Sequence, residues 1–234
     1  MIITIDGPVA CGKSTVSLAL ANRLSFFYLA TGLMYRFIAY HLIYREKIKE
    51  QDLAHVPAQK IFDLLNSGAF EYTYAPLYGA QIFYKQENYT PFLKMAGVDK
   101  YASILGSVHQ VRQEVVAYQK KLAESHNLVV EGRDAGTVVF PQADFKFFLT
   151  ASDEVRARRW QKDQMRLSNL FTLDESLKIT RERDDRDKNR AHSPLKMAED
   201  AVLIDNSTLT LGQTIDAIYE VIAPHVPKKD EQAK

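Results

Sequence analysis

Five short stretches of the chain are apolar almost throughout: "IITID" at 2–6, "FFYLA" at 26–30, "LVVEG" at 128–132, "FKFFLT" at 145–150 and "AVLID" at 201–205. A strand with one wet face alternates apolar and polar positions. These show little alternation, so they are predicted as strands covered on both faces. Between most of them the apolar spacing changes to threes and fours. Ile104, Val108, Val111, Val115, Tyr118 and Leu122 form one stripe within 101–125, and Leu211, Ile215, Ile218 and Ile222 form another within 210–223. Strands separated by helices imply βαβ crossovers. The expected fold class is therefore α/β, a central five-stranded parallel sheet flanked by helices.

Residues 68–93 break that rhythm. Phe70, Tyr72 and Tyr74 alternate with other residues, a Pro-Leu-Tyr-Gly turn follows, and "QIFYK" can return antiparallel. A small inserted hairpin is expected; an aromatic-rich loop packed on the core is the alternative.

Composition narrows the picture without sharpening it. The chain has 234 residues, 46% of them hydrophobic, which suits one globular unit of ordinary makeup with room for a sub-domain. A formal net charge of +1 gives no overall field for nucleic acid or an anionic membrane, so neither is expected as a partner. No apolar run approaches the roughly 20 residues that cross a bilayer. With a single cysteine, no leader pattern at the N-terminus and nothing that demands a partner subunit, a cytoplasmic monomer is expected. The final "PKKDEQAK" loses its apolar period and reads as a tail, 227–234.

The chemistry begins at "GPVACGKST", residues 7–15, between the first strand and a helical pattern. Gly7, Gly12, Lys13 and Ser14 fill every fixed position of G-x-x-x-x-G-K-[ST], with Pro8, Val9, Ala10 and Cys11 between them and Thr15 after. Glycines let the backbone N–H groups curl inward, and the following helix adds roughly half a positive charge at its N-terminus. Lys13 can reach the outer phosphates of a nucleotide, and the Ser14 hydroxyl can take one magnesium position. Cys11 reads as a small side chain that fits the loop, not as a reactive thiol. The guanine-reading N-K-x-D of switch GTPases is missing. "FKFFLT" also ends without the acid that ATPases aim at magnesium, although Glu131 and Asp205 end other strands. The phosphoryl acceptor is therefore expected to be a bound small molecule rather than water.

An acceptor that is itself a phosphate must be brought near a triphosphate against charge repulsion, and arginine forks are the natural remedy. Arg36 sits in "TGLMYR", and Arg133 and Asp134 follow the third strand in "EGRDAGTVVF", on the ligand-binding edge of an open α/β sheet. Eight more arginines lie within 156–190, among them Arg156, Arg158 and Arg159 in "VRARRW" and Arg181, Arg183, Arg186 and Arg190 in "RERDDRDKNR". The last segment reads either as a solvated helix with i,i+4 pairs such as Arg183–Asp187 and Asp184–Lys188, or as a lid whose arginines reach the phosphoryl group on closure.

Together these motifs resemble the bacterial cytidylate kinases, P-loop nucleoside monophosphate kinases that move the γ-phosphoryl of ATP to CMP or dCMP. "IDGPVACGKST" resembles their donor loop, "YLATGLMYR" their "YLDTGAMYR" segment, "VVEGRDAGTVVFP" their most specific stretch and "RERDDRDKNRAHSPL" their lid. The resemblance covers nearly the whole chain. It implies one kinase domain over 1–226, with a core of 1–30, 101–151 and 200–226, an acceptor insert near 31–100 and a lid near 152–190. It implies magnesium carried with ATP, residues 7–15 and Arg159 on the nucleotide, and Lys13, Arg133, Arg183 and Arg186 at the transferring group. Arg36, Arg133 and Arg183 would hold the acceptor's phosphate, Ser103, Arg112, Asp134 and Arg190 would surround the cytosine, Asp187 would bond the sugar, and Thr31 and Tyr35 would also belong to the acceptor site. A same-fold kinase for UMP, AMP or another anion, or a non-catalytic nucleotide binder, stays open. The chain also departs from the pattern, with Ala30 for the Asp of "LDTG", His109 where a Pro is usual and Lys94 in place of an arginine. Loss of one charged hydrogen bond at position 30 is worth about 1.5–3 kcal/mol, roughly ten- to hundredfold in affinity.

Overall fold

All five apolar stretches are strands of one parallel sheet in the computed structural model, which describes residues 1–95, 97–166 and 169–225. The tail at 227–234 lies outside the described residues. In chain order, β1 (Ile2–Asp6) leads into α1 (Lys13–Leu24), and β2 (Phe27–Ala30) into α2 (Thr31–Tyr40). Then come α3 (Ala58–Asn66) and three short strands, β3 (Phe70–Ala75), β4 (Gly79–Tyr84) and β5 (Glu87–Asn88). The chain continues through α4 (Val98–Leu105), α5 (His109–Ala123), β6 (Leu128–Glu131), β7 (Phe145–Thr150), α6 (Asp153–Arg166), α7 (Leu173–Asn189), β8 (Val202–Asp205) and α8 (Leu211–Ile222). The main sheet runs β2-β6-β1-β7-β8, and every pair is parallel.

The missing alternation has its reason in the packing. Ile3, Ile5, Val129, Phe147 and Leu149 face Leu20 of α1 and Ile218 and Ile222 of α8. Leu29, Leu128 and Val130 face the other way, toward Phe37 and Ile38 of α2, Ile61 of α3, and Val111 and Val115 of α5. With both faces covered, most positions of β1, β2, β6 and β7 are selected for apolar character; the edge strand β8 departs from the expectation, with Val202 and Leu203 exposed.

The inserted segment is a hairpin, as the alternation of aromatics predicts, extended by β5 into a three-stranded antiparallel sheet. Phe70, Tyr72 and Ile82 turn inward onto the same core as Phe37. The Tyr72 hydroxyl accepts from the Ala30 amide at 2.8 Å and donates to the Tyr28 carbonyl at 3.3 Å, which ties the hairpin to β2.

Two expectations are corrected. The single stripe over 101–125 is broken into α4 and α5 at Gly106 and Ser107, residues that hold a helix poorly. The break lets Arg112 of α5 donate back to the Gly106 carbonyl at 3.2 Å. Leu211 does not join the buried stripe of α8: it directly follows Thr210, which caps the helix with Gln213, and it faces solvent.

Phe37 is fully buried and touches the rings of Phe70, Tyr84 and Tyr89, so it joins α2 to the hairpin. Phe37→Ala should cost about 3–5 kcal/mol in a urea unfolding titration; a loss under about 1 kcal/mol would mean that the hairpin is not part of the same core.

Candidate active site

The donor loop leaves the carboxyl end of β1 and curls into α1. Gly7 has φ +151°, and a Cβ there would stand 2.0 Å from the Leu149 carbonyl oxygen, so only glycine lets the loop lie against β7. Gly12, at φ +96°, caps α1 from a left-handed conformation. Ser14 and Thr15 are exposed on the first turn of α1, while Lys13 is buried and donates to the Pro8 carbonyl at 2.5 Å. Burial holds the Lys13 ammonium below the usual lysine range, and the charge of Arg133 pushes the same way. Cys11 is buried within the loop, in keeping with a space-filling role.

Helices α6 and α7 grip this loop. Asp184 of α7 accepts from the Val9 amide at 2.8 Å and pairs with Arg156 of α6, which itself donates to the Val9 carbonyl at 3.1 Å. Both charged side chains are nearly sealed from water. Arg156 also reaches Asp153, which in turn accepts from Arg181. Arg159 donates to the Cys11 carbonyl at 3.2 Å and to Asn206, whose amide reaches the same carbonyl at 2.9 Å. Asp184 and Asn206 are thus loop supports that the sequence reading did not single out. Arg158 stands apart, paired with Glu154 in solvent.

Across from the loop, arginines from four elements converge in two groups. In the first, Arg36 of α2 pairs with Asp99 of α4 at 2.6 Å and donates to the Leu93 carbonyl at 3.2 Å. Arg183 of α7 stands 3.6 Å from the same carboxylate, and Arg133 donates to Asp187 at 3.0 Å. Burial lowers the Arg183 pKa; repulsion from Arg133 and Arg36 adds to this, and Asp99 and Asp187 oppose it. In the second group, Asp134 is held by Arg112 on one side and by Arg190 at 3.3 Å on the other. Arg190 Nη2 is buried there without a hydrogen bond of proper geometry. The Tyr35 ring lies under Arg112 at 5.7 Å, and its hydroxyl is pushed up to about 12, chiefly by burial. Ser103 is half-buried on α4. The i,i+4 pairs read from "RERDDRDKNR" do not form, because Arg183, Asp184 and Asp187 all turn inward to distant partners. Arg186 is not brought into either group. It lies exposed on α7, donating to the Glu182 carbonyl, and makes no ion pair among the described residues.

Two carboxylates at strand ends join the halves of the site. Glu131 accepts from Ser14 at 2.9 Å and from the Tyr28 hydroxyl at 2.8 Å, while its own carbonyl receives the Thr31 hydroxyl at 2.8 Å. Ala30 is its register partner on β2, so an aspartate at position 30 would set a second carboxylate beside the first. Asp6 closes β1 and accepts from the Ala135 and Gly136 amides at 2.9 and 2.7 Å, fixing the turn that presents Arg133 and Asp134. The signal for Asp6 was an acid ending an apolar strand directly before the loop. His109 is an exposed residue opening α5, its ring 4.5 Å from that of His192.

Burial pushes the Asp6 carboxyl up to about 6 from an ordinary 3.8, against the pull of its two amide donors. The ionised form is the costly one in the fold. That cost is absent below about pH 4, accrues up to about pH 6 and is complete above it, at about 3 kcal/mol. Relative to Asp6→Asn, the unaltered protein should therefore be more stable to urea at about pH 4.5 than at about pH 7.5. A gap between the two that does not change with pH would refute the assignment.

This geometry can be set beside known proteins. The sequence pattern of the cytidylate kinase family matches residues 3–224. A cytidylate kinase of Caldanaerobacter subterraneus subsp. tengcongensis is 37% identical over 220 residues, covering 94% of this chain and 93% of that protein. One from Chlamydia caviae is 39% identical over 230 residues, covering 97% and 100%. Among solved structures, an uncharacterized protein from Eubacterium ventriosum superposes with a TM-score of 0.50 at 12% identity, covering 95% of this chain and 98% of its own, a likeness of fold alone. With the family pattern running nearly end to end and relatives this similar over their full lengths, the chain belongs to the cytidylate kinase family.

Proposed function

We propose that this protein transfers the γ-phosphoryl group of ATP to CMP, and also to dCMP, giving ADP and the nucleoside diphosphate. The observation that carries this reading is the gathering of three guanidinium groups, with Arg36 and Arg183 sharing the Asp99 carboxylate and Arg133 close to both Arg183 and Lys13. Such a concentration of fixed positive charge suits a second phosphate beside a triphosphate.

ATP lies along residues 7–15, with its phosphates over the N-terminus of α1, and Lys13 turns from the Pro8 carbonyl to the outer phosphates. The Ser14 hydroxyl and the Glu131 carboxylate, 2.9 Å apart beside the loop, form the hard oxygen pair that suits magnesium. Among the described residues no three acidic, histidine or cysteine side chains gather into a cage of their own, so phosphate oxygens and water would complete the shell. When bound, the ion neutralises charge on the β- and γ-phosphates.

CMP places its phosphate among Arg36, Arg133 and Arg183, and its base beside Arg112, Asp134, Arg190 and Ser103, with Thr31 and Tyr35 lining the way. Asp134 can accept the exocyclic amine of cytosine, and the arginines can donate to its ring nitrogen and carbonyl. Uracil reverses that pattern and leaves buried groups unpaired, a penalty of orders of magnitude. Asp187 serves the sugar hydroxyls. Arg186, exposed on α7 and without an ion pair among the described residues, is the side chain left to meet the γ-phosphoryl group as residues 152–190 close. The attacking phosphate oxygen is already anionic, so no strong base is required. Positioning and charge neutralisation account for the rate. We place the enzyme in the cytoplasm as a monomer; no helix among the described residues is long and apolar enough to cross a membrane.

Two measurements test this. A coupled assay should show ADP release that depends on CMP or dCMP and is far slower with UMP or AMP; ADP release indifferent to the acceptor would sink the proposal. Arg133→Ala should lower turnover by about a hundredfold or more while leaving ATP affinity within about threefold, and equal loss of both would place Arg133 on the donor instead.

A further inference from the structure

Asp99 is an acid in the wrong place for an enzyme that must admit an anion. It stands on the first turn of α4, and its two oxygens are divided between the arginines assigned to the acceptor's phosphate, Oδ1 at 2.6 Å from Arg36 and Oδ2 at 3.6 Å from Arg183. Two oxygens of one phosphate would be shared between two guanidinium groups in the same manner. We infer that the Asp99 carboxylate stands in for the acceptor's phosphate while the site is empty and yields to it on binding, so that this side chain sets how tightly the acceptor is held. The inference rests on the reading that Arg36, Arg133 and Arg183 grip that phosphate.

Three features separate Asp99 from a fixed structural partner. Its side chain is 44% exposed, whereas Arg36 and Arg183 are 28% and 23% exposed, so the carboxylate lies nearer the mouth and has water to turn into. Asp134 and Asp184, which hold arginines permanently, are only 9% and 4% exposed. Second, Asp99 Oδ1 is buried against Arg36 yet makes no hydrogen bond of proper geometry, so the contact is mainly charge attraction. Third, charge balance favours exchange: Arg36 and Arg183 share Asp99, Arg133 pairs with Asp187 and also feels Glu131, and a dianion entering as Asp99 leaves more than makes up the negative charge. A half-exposed pair is weak enough for a well-placed phosphate to displace and strong enough to register in affinity. Binding to a site already occupied by an internal anion is weakened by the fraction of time that it is occupied.

The test compares Asp99→Asn and Asp99→Ser with the unaltered protein at saturating ATP, following KM for CMP and competitive inhibition by inorganic phosphate. Both variants should lower KM about three- to tenfold and make inorganic phosphate a better inhibitor by a similar factor. Asp99→Glu, which restores the charge, should return both toward the starting values. A KM that rises or stays unchanged in both neutral variants overturns the inference. Arg36→Ala in the unaltered background keeps the two ideas apart. If it raises KM for CMP while the Asp99 variants do nothing, only the stand-in role fails; if it leaves KM unaltered, the acceptor assignment beneath it fails.

Discussion

Mutual repulsion of guanidinium groups is the constraint around which this site is built. Arg36, Arg112, Arg133, Arg156, Arg183 and Arg190 come from five different parts of the chain, yet each has a carboxylate within ion-pair reach: Asp99, Asp134, Asp184 or Asp187. Without those acids, burying so much like charge would cost several kcal/mol per group. The pairings also explain why α6 and α7 lie against the loop at 7–15. Helices α6 and α7 carry little apolar surface; what holds them to the donor loop is the buried Arg156–Asp184 pair and its contacts to Val9.

The central sheet was legible because four of its strands are dry on both faces, and the edge strand β8 keeps the same apolar run although Val202 and Leu203 face solvent. An uninterrupted apolar run of five residues has few other ways to be satisfied, and the five runs map onto β1, β2, β6, β7 and β8 with shifts of one residue at their ends. The division of 101–125 was not legible. Periodicity sees the stripe and not the break, and the contact that exploits the break, Arg112 to Gly106, is a matter of side-chain reach. β5 was missed for a different reason: two residues are too short to show any alternation.

Within the site, backbone-dependent features could be read and charge partners could not. The loop at 7–15 is legible because glycine spacing encodes backbone shape directly. In "RERDDRDKNR" the local rules offer i,i+4 partners, yet Asp184 reaches 28 residues back to Arg156, and Asp187 pairs with Arg133, 54 residues away. Ion pairing has no sequence period, so nothing in the spacing separates a solvated helix from a buried one. Asp6 and Glu131 were visible only as acids ending apolar strands, since their partners are amides and hydroxyls that any sequence contains.

Helix α7 has one further consequence. Asp184 points to the loop at 7–15, while its immediate neighbour Arg183 and, one turn later, Asp187 point to the cluster of Arg36, Arg133 and Asp99. A single rigid rod therefore has one hand on the loop and the other on the arginine cluster. Movement of Val9 under a nucleotide cannot leave Arg183 where it was, and by linkage the influence runs equally in both directions. In this architecture, coupling between the loop and the arginine cluster needs no relay of side chains across the molecule, because three residues of one helix already span the distance.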